Sequence, residues 1–188
     1  AFTWCIMREC GLFPQLSQDM SVHVADPTDV SPHRGGIIAN GMGTGKTWLG
    51  AMLCKQSLLS YNGTSLVIVP PVLKDQWVKE FARENAWTIG KEIIVVNSYA
   101  HVDLKYPRTS PHMRVCISTY NFMQFLQRPK SMKWDRILFD EAHHLHNFRG
   151  RTYASAKNIR HQARACWLLT GTPILNSDKD LRGLLWLI

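Results

Sequence analysis

The sequence has no apolar run approaching the roughly 20 residues needed to cross a bilayer, and its start lacks the layout of a signal peptide. We therefore expect no membrane span and no membrane partner. It also lacks an initiator methionine and opens on an amphipathic pattern, so we expect a piece of a longer protein. The 188 residues, 45% of them hydrophobic, are enough for one domain with its own core.

Cysteine is scarce, and its spacing is not that of a structural metal site. The five cysteines are odd in number and include no C-x-x-C pair. Cys54, Cys116 and Cys166 lie in apolar segments, so we expect buried free thiols in a reducing, intracellular compartment. A disulfide between Cys5 and Cys10 remains an open alternative.

Acidic residues are scarce in the second half of the chain. Between residues 104 and 177 the acids are Asp135, Asp140 and Glu141, against twelve Lys and Arg, and the whole chain has a net charge of +8. Such a surface carries a positive potential that favours a polyanion such as nucleic acid. A solvated basic face without a partner would leave the same pattern.

A glycine-rich segment at residues 35–47, GGIIANGMGTGKT, joins a short apolar strand to a predicted helix. Backbone N–H groups in such a loop surround an anion, and the helix N-terminus adds its partial positive charge. In this pattern Lys46 contacts the outer phosphates and the Thr47 hydroxyl binds Mg²⁺. The strict signature has glycine at position 40, where this chain has asparagine. The residues expected around the phosphates are Met42, Gly43, Thr44, Gly45, Lys46 and Thr47.

A second motif, Asp140-Glu141-Ala142-His143, follows another predicted strand. Asp140 is expected to bind the metal, and Glu141 to polarise or deprotonate a water. The carboxyl ends of parallel strands meet at one edge of a sheet, so the two motifs are expected to converge there. The glycine-rich loop alone could be a tight turn with an incidental lysine, but the two motifs together predict a nucleoside-triphosphate site.

The apolar periodicity alternates short continuous runs with helical stretches, which is typical of an α/β fold with a largely parallel sheet and helices on both faces. Strands are predicted at 36–39, 65–69, 92–96, 114–118, 136–139 and 166–170. After an N-terminal helix, further helices are predicted at 46–59, 72–84, 120–127, 152–162 and 178–188. Loops are predicted at 19–34 and 103–113, both of which contain prolines.

The chain resembles the N-terminal RecA-like lobe of a SWI/SNF-type ATPase in helicase superfamily two. The resemblance rests on residues 35–47, 66–77 (LVIVPPVLKDQW), 115–120 (VCISTY), 134–147 and 167–176 (WLLTGTPILN), all in the family's order. The details favour the branch that contains the helicase-like transcription factor and related repair proteins. These segments span nearly the whole chain, so residues 1–188 are expected to form one such lobe, a P-loop NTPase domain.

The resemblance implies a DNA-dependent ATPase that translocates on DNA and remodels chromatin or other protein–DNA complexes in the nucleus. Its cofactors would be ATP and Mg²⁺, the metal being held by Thr47 and Asp140. Lys46, Asp140 and Glu141 would be catalytic. His143, Thr170, Gly171 and Thr172 would couple the nucleotide state to DNA. Sequence-nonspecific contacts to the phosphates of double-stranded DNA would come from Pro70, Lys74, Gln76, Ser118, Thr119 and Tyr120.

The family also implies partners outside the chain. A second RecA-like lobe would supply arginine fingers, and nucleosomes or other DNA-bound proteins would be acted on. The family's adenine-reading glutamine would precede Ala1, since residues 4–9 resemble the helix that follows it.

The chain departs from the family at Asn40-Gly41, where the family has Asp-Glu, and at Leu175, where it has Gln. None of these positions supplies a phosphate or metal ligand. They leave open a degenerate nucleotide-sensing or protein-docking module, and an RNA helicase of the D-E-A-H group is a further alternative.

Two aromatic residues and a histidine cluster leave further questions. Trp77 lies at helical spacing from apolar neighbours, so we expect a core anchor rather than a platform for bases. Tyr120 is open between base stacking and a structural role. His143, His144 and His146 fit no common zinc pattern, and His143 is expected to link the metal site to the coupling segment.

Overall fold

The fold is seen in a computed structural model of the chain. It describes the backbone of residues 1–9, 14–16, 22–24, 34–61, 63–96, 112–126, 134–174 and 178–188. Cys10, Leu175 and most of the predicted loops at 19–34 and 103–113 lie outside these residues.

A six-stranded parallel sheet forms the centre of the domain, in the strand order β3-β8-β7-β4-β6-β5. Its strands are β3 (Gly35–Ile38), β4 (Ser65–Val69), β5 (Ile93–Val95), β6 (Val115–Thr119), β7 (Trp134–Asp140) and β8 (Ala163–Leu169). A separate antiparallel pair consists of β1 (Pro14–Leu16) and β2 (Val22–Val24). All six predicted strands are therefore confirmed, and β7 and β8 extend further toward their N-termini than expected.

Helices cover both faces of the sheet, as the sequence predicts. They are α1 (Phe2–Glu9), α2 (Lys46–Tyr61), α3 (Lys74–Asn85), α4 (Arg151–Arg160) and α5 (Asp178–Leu185). Apolar side chains of α1, α2 and α3 pack on one face, and those of α4 and α5 on the other. None of the described helices is long and apolar enough to span a membrane.

The predicted helix at 120–127 is wrong. The chain there makes a turn and a short 3-10 helix, Met123–Phe125, in which the N–H of Phe125 bonds the carbonyl of Phe122 at 3.0 Å. The tight pattern continues at Leu126, whose N–H bonds the carbonyl of Met123 at 3.1 Å. The burial of Met123 and Leu126 fixes the tight turn against the core instead.

Three smaller predictions also need correction. The predicted loop at 19–34 contains the strand Val22–Val24, whose backbone pairs with Pro14–Leu16. The predicted helix at 72–84 begins as a 3-10 turn, Pro71–Leu73, in which the N–H of Leu73 bonds the carbonyl of Pro70 at 3.0 Å. The last helix ends at Leu185, and the chain then turns.

A buried ion pair joins the N-terminal helix to the middle of the sheet. Arg136 on β7 is 2% exposed and Glu9 on α1 is 7% exposed. The Arg136 Nε donates to Glu9 Oε1 at 2.6 Å, and a second guanidinium nitrogen bonds the other carboxylate oxygen. The Trp167 Nε1 also donates to Glu9 Oε1, at 2.6 Å, and Arg136 bonds the carbonyl of Leu53 on α2. Four elements thus meet at one pair of charges.

The predicted buried free thiols are confirmed at Cys54, Cys116 and Cys166, and Cys5 is a buried free thiol as well. Burial raises the pKa of Cys54 to about 11 and that of Cys166 to about 12. Since the thiolate is the reactive form, these side chains are packing residues rather than nucleophiles.

We expect Glu9→Gln to lower the free energy of unfolding by about 3 kcal/mol, because the Arg136 charge would stay buried without its counter-ion. Urea unfolding followed by far-UV circular dichroism measures this change. The matched control is Glu84→Gln, which removes an ion pair with the mostly exposed Arg83 and should cost less than about 1 kcal/mol. Equal effects of the two variants would show that the buried ion pair contributes no more to the free energy of unfolding than the exposed one.

Candidate active site

The loop between β3 and α2 has the backbone of a phosphate-binding turn. Gly43 and Gly45 have φ values of 74° and 83°, a region that side chains disfavour. Among the described residues, positive φ outside glycine occurs at Ala86 and Glu141, so Asn40 has an ordinary backbone. The departure from the strict glycine pattern at Asn40 therefore does not distort the loop.

The ammonium of Lys46 lies inside this loop. Its Nζ donates to the carbonyl of Asn40 at 2.9 Å and to that of Gly41 at 2.8 Å. A Cβ placed on Gly171, after the end of β8, would lie 3.8 Å from the same Nζ. The lysine is thus held at the edge of the sheet where β3 and β8 end.

Asp140 ends β7 as a buried carboxylate with two donors. The Trp77 Nε1 donates to its Oδ2 at 2.7 Å, and the backbone N–H of Glu141 donates to its Oδ1 at 2.9 Å. Burial raises the pKa of Asp140, and these two hydrogen bonds act against the rise. The carboxylate is therefore oriented before any ligand is present.

Trp77 reaches Asp140 because α2 has a glycine where the indole passes. A Cβ on Gly50 would lie 2.5 Å from Cη2 of Trp77, closer than packing allows. Trp77 is fully buried, which confirms the predicted core anchor. The sequence did not reveal that its N–H donates to the Asp140 carboxylate, although a buried indole N–H usually has a partner.

Tyr120 contacts the backbone of Asp140 and has a structural role there. Its hydroxyl donates to the backbone carbonyl of Asp140 at 2.7 Å, and its ring stacks on Phe139 with centroids 6.4 Å apart. Burial raises the pKa of Tyr120 well above its ordinary value. Of the two readings left open by the sequence, this geometry favours the structural one.

Glu141 is connected to the end of β8 through His143. Its Oε2 lies 3.1 Å from the Nδ1 of His143, which is also 3.4 Å from the hydroxyl of Thr170. The Thr170 hydroxyl in turn accepts the N–H of Thr172 at 3.1 Å. Glu141 has a φ of 49°, a strained conformation for a residue with a side chain and one that is concentrated at functional sites.

Lys46, Asp140 and Glu141 line one open cavity of about 370 Å³. It brings together most of the predicted phosphate, metal and catalytic residues, namely Met42, Gly43, Gly45, Lys46, Thr47, Asp140 and Glu141. Thr44 is not in the lining; its hydroxyl donates to the Gly41 carbonyl at 2.8 Å. The other lining residues are Trp48, Leu73, Gln76, Glu80 and Arg83. Among these five residues, only Gln76 was predicted to belong to a site, and its predicted role was a contact with DNA.

The residues predicted to contact DNA are spread over two strand ends. Gln76 lies in the cavity, where its Nε2 is 3.4 Å from the Thr47 hydroxyl. Pro70, Ser118 and Thr119 are buried at the ends of β4 and β6, and Lys74 is half-buried at the start of α3. The roles of these residues toward DNA remain predictions.

The donors in the cavity suit Mg²⁺. Thr47 and Asp140 offer hard oxygen ligands, and Mg²⁺ is usually held by one or two protein oxygens together with phosphates and waters. Across the described part of the chain, no three His, Cys, Asp or Glu side chains come together in a way that could hold a metal by themselves. The predicted roles of Thr47 and Asp140 toward Mg²⁺ therefore require further ligands from phosphates and waters.

The parallel sheet, the glycine-rich loop and the Asp-Glu pair at one sheet edge define a RecA-like domain of the P-loop class. Residues 1–188 match the family described as SNF2-related domain. The chain belongs to this family, which confirms the resemblance seen in the sequence.

Curated relatives of the chain include a protein named for DNA repair and proteins named as helicases. The chain is 31% identical over 186 residues to "DNA repair protein rad8" of Schizosaccharomyces pombe, covering 85% of this chain and 16% of that protein. It is 32% identical over 164 residues to "Helicase SWR1" of Candida glabrata, covering 81% and 11%. The chain thus spans less than a fifth of these relatives. A repair protein among them agrees with the predicted branch.

Solved structures show the same fold. The Sulfolobus solfataricus SWI2/SNF2 ATPase core in complex with dsDNA superposes with a TM-score of 0.72 at 21% identity, covering 100% of this chain and 34% of that one. The core domain solved without DNA gives a TM-score of 0.70 at 21% identity, covering 99% and 32%.

We expect Trp77→Phe to weaken metal binding about tenfold, since it removes one hydrogen bond to an ionised acceptor while keeping most of the ring. Mn²⁺ binding in the presence of ADP, measured by electron paramagnetic resonance, tests this without requiring turnover. Trp134→Phe is the matched control, because Trp134 is equally buried but belongs to the core on the other face of the sheet. Equal weakening in both variants would contradict a positioning role for Trp77.

Proposed function

We propose that the protein hydrolyses ATP in a reaction stimulated by double-stranded DNA, and that this chain is its N-terminal, nucleotide-binding lobe. The observation that carries the proposal is the convergence of Lys46, Asp140 and Glu141 on one cavity at the end of the parallel sheet. Each residue type matches one need of phosphoryl transfer: a cation for phosphate, a metal ligand, and a carboxylate for water.

The phosphate loop binds the triphosphate. Backbone N–H groups after Gly43 and the N-terminus of α2 face the phosphates, and the ammonium of Lys46 exchanges its two loop carbonyls for phosphate oxygens. Thr47 and Asp140 would hold Mg²⁺, which when bound neutralises charge on the phosphates. Trp77 keeps the Asp140 carboxylate in place while the ligand enters.

Glu141 acts on the attacking water, orienting it and accepting its proton. The contact of Glu141 with His143, and of His143 with Thr170, gives a route from the water site to the segment after β8. In this proposal His143 and Thr170, with the following Gly171 and Thr172, couple the nucleotide state to DNA.

Three facts support DNA as the activator. The structural neighbour is a core in complex with dsDNA, the relatives are named as helicases and a DNA repair protein, and the second half of the chain is strongly basic. Contacts would be made mainly to phosphates, so binding would be salt-sensitive and have little sequence preference. A second RecA-like lobe, nucleosomal substrates and a nuclear location belong to the same proposal.

We expect ATP hydrolysis by the full-length protein that contains this chain to rise with duplex DNA and not with single-stranded RNA. Glu141→Gln should lower the stimulated rate at least about a hundredfold, because a general base contributes about 10²–10⁴-fold. Phosphate release at saturating ATP measures both effects. Glu92→Gln is the control, since Glu92 bonds Thr88 away from the cavity.

Other outcomes of that assay would favour other functions. Stimulation by RNA in place of DNA would indicate an RNA helicase. Nucleotide binding without hydrolysis under any condition would indicate a sensing or docking module.

The 188-residue chain by itself should turn over ATP very slowly. An arginine finger from a second lobe is worth about 10³–10⁵ in rate in related phosphoryl-transfer enzymes, and we expect this chain to depend on one. Single-turnover hydrolysis by the isolated chain, compared with the full-length protein, measures the difference. Fast DNA-stimulated turnover by the chain alone would refute the need for a second lobe.

A further inference from the structure

One wall of the cavity carries an exposed aromatic side chain that the phosphate and metal chemistry does not use. Trp48 follows Thr47 directly in the first turn of α2, lines the cavity, and is 44% exposed. We propose that the indole of Trp48 stacks on the base of the bound nucleotide. This inference rests on the proposed function and adds the residue that binds the base.

The position of Trp48 suits a base because it directly follows Thr47, the cavity residue expected at the phosphate end. The same cavity is lined by Gln76, Glu80 and Arg83, which share one face of α3 at i, i+4 and i+7. Gln76 contacts Thr47 at the phosphate end, and Arg83 lies about 10 Å further along at 1.5 Å per residue. The cavity therefore extends past the phosphates between α3 and the start of α2.

Other side chains of the cavity cannot take this role. Trp48 is the single aromatic residue among the described residues that line it. Met42 is 91% exposed, but its Cγ is directed to the β8 side, 3.8 Å from a Cβ placed on Gly171. Trp77 is fully buried, and its N–H is taken by Asp140.

Stacking of the base on Trp48 would increase the affinity for nucleotides and would discriminate little among the bases. Every base has a π-face, so an indole platform tolerates all of them. Two of the polar side chains of the cavity are engaged with each other, since the Arg83 Nη2 donates to Glu80 Oε1 at 2.6 Å. Trp48 should therefore strengthen the binding of any nucleoside diphosphate and leave the binding of a base-free polyphosphate unchanged.

The test compares two ligands in the full-length protein that contains this chain. Dissociation constants for Mg–ADP and for Mg–tripolyphosphate are measured by isothermal titration calorimetry in wild type, Trp48→Ala and Trp48→Phe. We expect Trp48→Ala to weaken ADP about tenfold and tripolyphosphate less than about twofold, within the range measured for base stacking on aromatic residues. Trp48→Phe should keep ADP within about threefold of wild type.

Trp186→Ala is the matched control, since Trp186 is 67% exposed and lies outside the cavity; it should change neither constant. Unchanged ADP affinity in Trp48→Ala would overturn the inference alone, and so would equal weakening of both ligands. Failure of the wild type to bind either ligand would overturn the proposed function, and the inference with it.

Discussion

The position of the site depends on two charges that are buried between the sheet and the helices α1 and α2. Glu9 and Arg136 neutralise each other at a place that water does not reach, and either charge alone would be strongly unfavourable there. The pair ties α1 to β7 and, through the carbonyl of Leu53, to α2. Since α2 begins with Lys46 and β7 ends with Asp140, this contact sets the helix against the strand whose residues meet at the candidate site.

The alternation of side chains along β7 extends this relation to the active site. Arg136, Leu138 and Asp140 point to the same face of the sheet, at successive even positions. Arg136 of the ion pair and Asp140 of the candidate site therefore share this face, with an apolar residue of the core between them. Each of the two buried carboxylates accepts a hydrogen bond from an indole N–H, Glu9 from Trp167 and Asp140 from Trp77.

Much of this arrangement could be predicted because its causes are local. Residues 66–69 lie in a strand that is covered on both faces, and they form a continuous apolar run of the kind expected for a buried strand. The residue types of the glycine-rich loop and of the Asp140-Glu141 pair are typical of a nucleotide site. Because the carboxyl ends of parallel strands meet at one edge of a sheet, the two motifs are expected at the same place. The fold and the ligand-facing half of the site follow from these signals.

The rest depends on contacts between distant segments, which a single sequence does not display. Trp77 reads as a core residue, and nothing near it shows that Asp140, 63 positions later, accepts its N–H. The pairing of Glu9 with Arg136 spans 127 positions and resembles two unrelated surface charges in the sequence. Residues 120–127 have a helical composition, but the bond from Tyr120 to Asp140 and the burial of Met123 favour a tight turn.

The close approach of Gly50 to the ring of Trp77 makes these two positions interdependent. Glycine inside a helix costs about 1 kcal/mol relative to alanine, and here it makes the room that the indole needs to reach the Asp140 carboxylate. A methyl group at position 50 would meet Cη2 of the indole at 2.5 Å and Cδ2 of Leu138 at 2.9 Å, so both side chains would have to move. The helix could thus be made intrinsically more stable at this position only by displacing the indole that orients Asp140.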